Sequence, residues 1–469
     1  MRSGNHAPHG YHDRWGGSVS ELIGIAERIL ESAKGAEEVE LYVASGVDTE
    51  VQAYQGEVEE LTTASSTGIG IRILRDGPGG AQIGTAWAGS LDDQAVENAI
   101  KEARENARFA TEDEFTAFAR PDGVAAATLA LTDDTVASTP LDEKIAMAIE
   151  LERLVRSGDP RIRQVDSANY SDYVAEAAIV STTGIRASYA RTGAYVSVEA
   201  IASDGNDDQT GWGLSAGRAP GDLDIAKAAA DAIRRSTRML GAVKPASFKC
   251  TAVFDARTAA TLFAIIGGAL SGEAVVRGRS FFANRIGEVV AAPTFTLFDD
   301  PTDARHFSAS AYDGEGLACR RNVMIERGEL KGFVYDTVSA RRAGTASTGS
   351  AVRGGIAGSP SAGCRALQLS PGDIDQAEIF RRVGNGVFVE SLIGVHSGVN
   401  PVSGDFSVGV TGLMIRDGQL AEPIREITVA STLQRMLLDV IHVGNDIEWL
   451  PGSAAGQTVA IENIAVSGS

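Results

Sequence analysis

The amino-acid sequence predicts an α+β fold in which most strands pair antiparallel. In the N-terminal half, a stretch with helical periodicity is followed by alternating, strand-like runs and then by a second helix, and this order occurs twice. In the C-terminal half, short apolar strands outnumber helices and lack the regular strand–helix alternation of a parallel sheet. We therefore expect two N-terminal helix–antiparallel-sheet–helix units, at residues 18–120 and 121–242, and then a β-rich C-terminal domain at residues 243–469.

The first unit follows a short leader. Residues 1–17 are rich in Gly, His and Arg and lack an apolar core, so we expect a disordered leader rather than a secretory signal. A helix is predicted over residues 18–34, where apolar residues recur at helical spacing. Alternating runs over residues 39–87 then predict strands, and a second helix is expected to begin near Ser90.

The second unit repeats that order after an Ala-rich linker at residues 121–130. Helices are predicted at residues 141–155 and 222–240, with strand-like runs between them over residues 161–202. This repetition favours an internal duplication over chance alternation.

Two details of the sequence agree with a repeat. The segment at residues 181–185 echoes the segment at residues 65–69. Trp87 and Trp212 also stand at similar places in the two units, and we expect both to be core aromatics.

The C-terminal domain begins after the break at residues 243–245. Helices are predicted near residues 256–274, 374–383 and 430–440. The glycine-rich stretch at residues 344–363 has no G-K-[ST] and no flanking βαβ pattern, so a flexible loop is expected there and not a phosphate site. Strands are predicted at residues 251–254, 294–298, 322–325, 332–335, 366–369, 387–390, 406–415 and 459–464.

Composition narrows the classes of function. A formal net charge of −20 leaves no basic surplus for a nucleic-acid backbone, so we expect no nucleic-acid partner. No apolar run approaches the roughly 18 residues of a membrane span, so we expect no membrane partner. The three cysteines lie far apart without C-x-x-C spacing, which is typical of reduced thiols in the cytoplasm.

The loop at residues 394–409 is the most informative stretch of the chain. It reads G-V-H-S-G-V-N-P-V-S-G-D-F-S-V-G and directly follows an apolar strand. Glycine-rich backbone that presents polar side chains is where sites usually lie. The candidates for contact with a substrate or a partner are His396, Ser397, Asn400, Ser403 and Asp405.

A Ser-His-Asp triad in this loop is disfavoured by the sequence. Adjacent side chains such as His396 and Ser397 point to opposite faces of an extended chain, and no G-x-S-x-G elbow is present. Two interpretations remain open: the polar groups satisfy the backbone of the loop itself, or they line a substrate channel.

The order of several C-terminal segments resembles the TldD/PmbA family, and its PmbA (TldE) branch more closely than its TldD branch. The segments are L-S-G at 270–272, R-G-R-S-F-F at 277–282, D-G-E-G at 313–316, G-E-L-K-G-F-V-Y-D at 328–336, S-G-V-N-P-V-S-G-D-F-S at 397–407 and G-N-D at 444–446. In TldD-like members a helix carries H-E-x-x-x-H, whose histidines bind zinc. Here Phe263, Ala264 and Gly268 occupy those positions, and no histidine stands between His12 and His306.

The resemblance implies a specific role. It implies a metal-free, non-catalytic subunit that forms a heterodimer with a TldD-like H-E-x-x-x-H chain, in which the zinc resides. Such a complex is a metalloprotease that degrades or processes unfolded or modified peptides. A homodimer is also compatible with it, and the alternative is a non-enzymatic binding or modulator protein that acts as a homodimer.

Overall fold

The computed structural model describes residues 19–468, so the leader predicted at residues 1–17 lies outside the described residues. Within them the α+β class is confirmed, because helices flank long antiparallel strands in the N-terminal half and strands dominate the C-terminal half. The N-terminal elements are α1 (Val19–Ala33), β1 (Glu38–Tyr54), β2 (Glu57–Gly77), β3 (Gly80–Ala88), α2 (Asp93–Phe109), α3 (Thr135–Ser138), α4 (Leu141–Gly158), β4 (Ile162–Ser181), β5 (Arg186–Ser203), β6 (Asp208–Gly217), a 3-10 turn (Pro220–Asp222) and α5 (Ile225–Thr237).

The two N-terminal units share one sheet. Its six strands lie in the order β3-β2-β1-β4-β5-β6, and β1 pairs with β4 antiparallel, for example at Val43↔Ala178. Each unit has the predicted order of helix, antiparallel strands and helix, and the structure resolves the strand-like runs of each unit into three strands. The echo between residues 65–69 and 181–185 does not mark equivalent positions, because the first segment lies within β2 whereas the second forms the turn between β4 and β5.

The helices α1, α2, α4 and α5 cover one face of this sheet with two apolar cores. The second helix of each unit approaches its strand closely at a glycine. A Cβ on Gly84 of β3 would lie 2.0 Å from the carbonyl oxygen of Ala103, and one on Gly213 of β6 would lie 1.9 Å from that of Ala228. The matched close contacts of α2 and α5 support the interpretation of a structural repeat.

The opposite face of the sheet has no helices packed on it in the described part of the chain, and we call it the helix-free face. Trp87 is in register with Gly70 and points to this face, as does Trp212 of β6. Their exposed fractions are 56% and 44%, so the prediction of core aromatics is wrong. An alternating strand shows that its two faces differ, but not which face the helices will cover.

The C-terminal strands form a second six-stranded sheet and smaller sheets. The elements are β7 (Phe248–Phe254), α6 (Ala256–Ala269), α7 (Gly272–Val276), β8 (Leu297–Asp299), β9 (Asn322–Glu326), β10 (Glu329–Leu330), α8 (Thr337–Ala343), β11 (Ala351–Val352), β12 (Ser361–Ala362), β13 (Leu367–Leu369), α9 (Gln376–Val383), β14 (Gly386–Ile393), α10 (Val395–Gly398), β15 (Asp405–Arg416), β16 (Gln419–Thr432), α11 (Leu433–Leu438), β17 (Val440–Val443) and β18 (Val459–Ser467).

In the larger C-terminal sheet the strand order is β16-β15-β14-β7-β18-β17, and only β14 and β7 pair in parallel. The helix predicted at residues 256–274 is interrupted after Ala269, where two glycines weaken it and the Ser271 hydroxyl donates to the carbonyl of Ala362. The predicted helix at 430–440 begins only at Leu433, because β16 continues to Thr432.

Two further features complete the fold. The strand predicted at residues 332–335 is reduced to a single bridge between Val334 and Ser271. Within residues 19–468, no helix combines the length and the apolar character that crossing a membrane requires.

Candidate functional site

Helix α6 is where the family resemblance would put zinc ligands. Strand β7 ends at Phe254, and Asp255 caps the helix by accepting a hydrogen bond from the backbone N–H of Arg257 at 2.7 Å. The ion pairs between Asp255 and Arg235 (2.6 Å) and between Arg257 and Asp231 (2.9 Å) fasten the start of α6 to α5. The position of α6 relative to the N-terminal sheet is therefore well fixed.

The residues at the zinc-motif positions do not fit a metal ion. Phe263 is 2% exposed and packs edge-on against Phe295, with ring centroids 6.2 Å apart. Ala264 and Gly268 are exposed, and a Cβ on Gly268 would meet no atom within 4 Å. None of the three side chains has a donor atom for zinc, and among residues 19–468 no group of three or more His, Cys, Asp or Glu could hold a metal ion.

The loop candidates are spread over three local structures. His396 and Ser397 lie in α10, which is a helical turn and not the extended chain that the sequence suggested, Asn400 and Ser403 lie at the turn that follows, and Asp405 begins β15. His396, Ser397, Asn400, Ser403 and Asp405 are all exposed. The Asn400 side-chain oxygen accepts hydrogen bonds from the N–H groups of Val402 (3.0 Å) and Ser403 (3.2 Å), and the Ser403 hydroxyl donates to Asp405 at 2.7 Å. Much of the polarity of this loop therefore satisfies the loop itself.

The same geometry bears on the triad. The Ser397 hydroxyl donates to the carbonyl of Gly394 at 3.1 Å and not to His396. The Asp405 carboxylate accepts its hydrogen bond from the Ser403 hydroxyl and not from His396. The loop is instead held to α11, since Gln434 donates to the carbonyl of Ser403 and the Leu433 N–H to that of Gly404. Contact with a substrate or a partner stays a prediction for these residues.

The helix-free face offers a larger polar surface that the sequence did not single out. One cavity of about 240 Å³ is lined by Glu50, Gln52, Glu60, Asn169, Ser171, Tyr195 and Ser197, among others. A second cavity of about 300 Å³ lies beside it and includes Asp48, Tyr189 and Arg191. Residues from β1, β2, β4 and β5 thus converge on one surface, although they are far apart in sequence.

The glycine-rich stretch predicted to be a loop packs on this face. A short hairpin, β11 and β12, carries Ile356 onto the sheet, where its carbonyl oxygen lies 2.1 Å from the position that a Cβ on Gly70 would take. The absence of a side chain at Gly70 therefore permits this contact. The C-terminal domain closes one end of the helix-free face and leaves the rest open.

Strand β2 has an unpaired edge next to this face. Residues 57–67 pair with β1 on one side, but β3 pairs only with the second half of β2, from Ile69 to Gly77. Residues 57–66 are all exposed. In the second unit the corresponding edge is the first half of β5, and there the segment after the linker contacts it at Thr192, whose N–H donates to the carbonyl of Leu131 at 2.9 Å. The first unit therefore has an open strand edge, whereas the matching edge of the second unit is contacted by another segment.

Comparisons with known proteins agree with the architecture. Models of the PmbA/TldA metallopeptidase domain 1, central domain and C-terminal domain match residues 39–107, 134–240 and 247–468. The metalloprotease PmbA of Escherichia coli O157:H7 is 26% identical over 453 residues, covering 95% of each chain. A metalloprotease of Methanothermobacter thermautotrophicus is 24% identical over 439 residues, covering 88% of this chain and 92% of that one.

Solved structures share the fold. TldE from Thermococcus kodakarensis superposes with a TM-score of 0.85 at 23% identity, covering 96% of this chain and all of that one. A Thermotoga maritima protein superposes with the same TM-score at 24% identity, covering 95% and 99%. Because the three domain models match in order from residue 39 to residue 468, this chain belongs to the PmbA/TldD metallopeptidase family.

Proposed function

We propose that this chain is a non-catalytic, PmbA/TldE-like subunit of a TldD/TldE-type metalloprotease that processes or degrades unfolded or modified peptides in the cytoplasm. The observation that supports this most directly is the chemistry of α6, where Phe263, Ala264 and Gly268 have no atom that could bind zinc or accept a proton. In this proposal the zinc and its ligands belong to a TldD-like partner in a heterodimer.

The contribution of this chain would then be to hold the peptide. Unfolded and modified peptides share only their main chain, so a subunit that serves many of them must recognise backbone N–H and C=O groups. The unpaired edge of β2 offers such groups over residues 57–67. Its last six residues, from Thr62 to Thr67, are small or hydroxyl-bearing, so an added strand would meet no bulky side chain or charge there.

The edge is also held rigidly, which lowers the entropy cost of pairing. The hairpin between β1 and β2 turns at Gln55 and Gly56, whose backbone N–H groups each donate to the buried carboxylate of Glu152 at 2.8 Å. Glutamates stand at positions 57, 59 and 60, at the start of the edge. Their negative charges repel other acidic chains and so disfavour strand pairing there. The neutral part, residues 61–67, is the segment we expect a peptide to use.

Reconstitution tests the proposed function. We expect no cleavage of an unfolded peptide by this chain alone, and chelator-sensitive cleavage when it is mixed with an H-E-x-x-x-H paralogue from the same source. Cleavage by this chain alone would contradict the proposal. Peptide binding without cleavage in any mixture, by a chain that sediments as a homodimer, would favour the non-enzymatic binding or modulator protein instead.

A pair of proline substitutions tests the edge of β2. Consecutive residues of a strand direct their N–H groups to opposite sides, so of T62P and T63P one removes a bond to β1 and the other removes an N–H from the open edge. We expect the variant that loses the N–H of the open edge to keep its melting temperature. It should bind peptide about 2- to 10-fold more weakly, which is the equivalent of one hydrogen bond.

The matched controls are T62A and T63A, which leave the main chain intact and should bind peptide like the wild type. Peptide affinity can be measured by fluorescence anisotropy with a labelled unfolded peptide. Unchanged affinity in both folded proline variants would exclude pairing at this edge.

A further inference from the structure

The cavity of about 300 Å³ on the helix-free face has an unusual floor. Where β1, β2 and β4 pass beneath it, the residues are small: Ala44 and Gly46, Gly68, and Ala175 and Ala177. A row of small residues on long strands leaves a depression in the sheet surface. Ile356 borders one end of the cavity, and Ser66 and Thr67 of the open β2 edge border another.

Arg191 of β5 forms part of the wall, and no carboxylate of the described residues forms an ion pair with it. Among the described residues it forms no ion pair and no hydrogen bond. Its Nε is buried without a partner, and its guanidinium lies 5.9 Å from the centre of the Tyr173 ring. By contrast, Arg186 on the same strand pairs with Glu27, and Arg72 of β2 pairs with Glu40.

A second arginine increases the local positive charge. Arg218 donates to the carbonyl oxygens of Thr192 (3.3 Å) and His306 (2.6 Å) and has no carboxylate partner in the described chain. Burial lowers the pKa of Arg218, and the charge of Arg191 lowers it further. Two guanidinium groups that lie close to each other without a counter-ion favour the binding of an anion at their solvent-facing side.

The remaining groups of the cavity indicate which anion fits. The hydroxyls of Tyr42 and Tyr189 lie 3.4 Å apart and can donate to an anion. Asp48, which also lines the cavity, has no ion-pair partner among the described residues, and its carboxylate repels a dianion such as phosphate about twice as strongly as a monoanion at the same distance. Glu176 borders the cavity too, but its register with Ser45 directs its side chain to the helix-covered face, near Glu21.

We propose that Arg191 binds the C-terminal carboxylate of a peptide in this cavity, with Tyr189 or Tyr42 donating a second hydrogen bond. The proposal rests on the proposed function insofar as the ligand is a peptide. A peptide paired with residues 61–67 of β2 would reach the cavity at Ser66, so its end could turn over the small residues of the floor toward Arg191. Asp48 is offset from this site, because Gly46 and not Asp48 is in line with Arg191 through Ala175 of β4.

Binding of trialanine and of its C-terminal amide to the chain alone, measured by isothermal titration calorimetry, tests this without any protease activity. We expect the free acid to bind at least about tenfold more tightly than the amide, as for a charge-assisted hydrogen bond. Equal affinity of the two peptides, or no binding of either, would overturn the proposal. Inorganic phosphate that binds as tightly as trialanine would overturn it in favour of a general anion site.

Substitutions at Arg191 test whether this residue causes the preference for the free acid over the amide. R191M should abolish the discrimination between acid and amide, whereas R191K should retain part of it. R186M, which removes an exposed arginine from the same strand, should bind both peptides like the wild type. A tenfold preference that persists in folded R191M would assign the carboxylate to another residue. Reconstituted cleavage can succeed or fail independently of this result, so the two proposals are tested separately.

Discussion

Alanine at position 40 is expected to cost about 3–5 kcal/mol of stability, because it leaves two buried arginines without a counter-ion. Glu40 is 2% exposed and its Oε1 accepts from Arg72 at 2.9 Å and from Arg353. Burial raises the pKa of Glu40, but the two guanidinium groups outweigh it and hold the pKa below its ordinary value. The carboxylate is therefore charged at neutral pH and compensates both cations.

The position of the three groups explains why the effect should extend beyond β1. Glu40 and Arg72 face each other across β1 and β2, whereas Arg353 comes from the C-terminal hairpin that places Ile356 on the sheet. Arg353 also donates to the carbonyl of Gly314 at 3.0 Å. In E40A we expect faster hydrogen exchange at residues 351–362 in addition to a lower melting temperature.

The control is E27A, which breaks the exposed Glu27–Arg186 pair and should cost less than about 1 kcal/mol. Differential scanning calorimetry and hydrogen-exchange mass spectrometry on both variants measure the two effects. Equal destabilisation of E40A and E27A would show that the buried pair contributes no more than an exposed one.

The sequence predicted the succession of elements but not how the two units combine. Periodicity is a local property, so the helices α1, α2, α4 and α5 and the strands between them were recognisable. The pairing of β1 with β4 joins residues more than a hundred positions apart, and nothing in either strand specifies its neighbour. The burial of Trp87 and Trp212 was mispredicted for the same reason, because local periodicity does not show which face of the sheet the helices cover.

The candidate site was predictable only where single residue types decide the chemistry. The side chains of Phe263, Ala264 and Gly268 have no donor atom for zinc in any fold, so the prediction that these positions bind no metal needs only the sequence. The polarity of the loop around His396 was evident, but its internal hydrogen bonds were not. Arg191 could not be recognised, because an arginine in an alternating strand is significant only once its lack of a partner is known.

The stability of the chain should fall as the pH rises from about 6 to 9, because Glu315 is buried among other carboxylates. It is 1% exposed, and its Oε2 accepts from the N–H (2.9 Å) and the hydroxyl (2.7 Å) of Thr337. Burial, together with the charges of Asp313 and Asp336, raises the pKa of Glu315 to about 8, and the hydrogen bond from Thr337 and the charge of Arg72 oppose this shift only in part. Burial also raises the pKa of Asp313, to about 6.

The direction of the pH effect follows from the direction of the shift. A carboxyl group whose pKa is higher in the folded than in the unfolded chain binds its proton more tightly when folded. The resulting stability is fully present below the unfolded value of 4.5 and is lost as the pH rises through about 8. Between pH 6 and pH 9 we expect a loss on the order of 1–3 kcal/mol, shared with Asp313, since the two groups titrate together.

Glutamine at position 315 separates this effect from the general increase in negative charge. The amide oxygen can still accept both hydrogen bonds from Thr337, but the side chain no longer ionises. Urea denaturation at several pH values should therefore give E315Q a flatter profile than the wild type and a higher stability at pH 9. E27Q, which removes an exposed carboxylate, should follow the wild-type profile. If E315Q and the wild type lose the same stability between pH 6 and pH 9, Glu315 is not the group that titrates, and the acidic interior around α8 is already compensated in the folded chain.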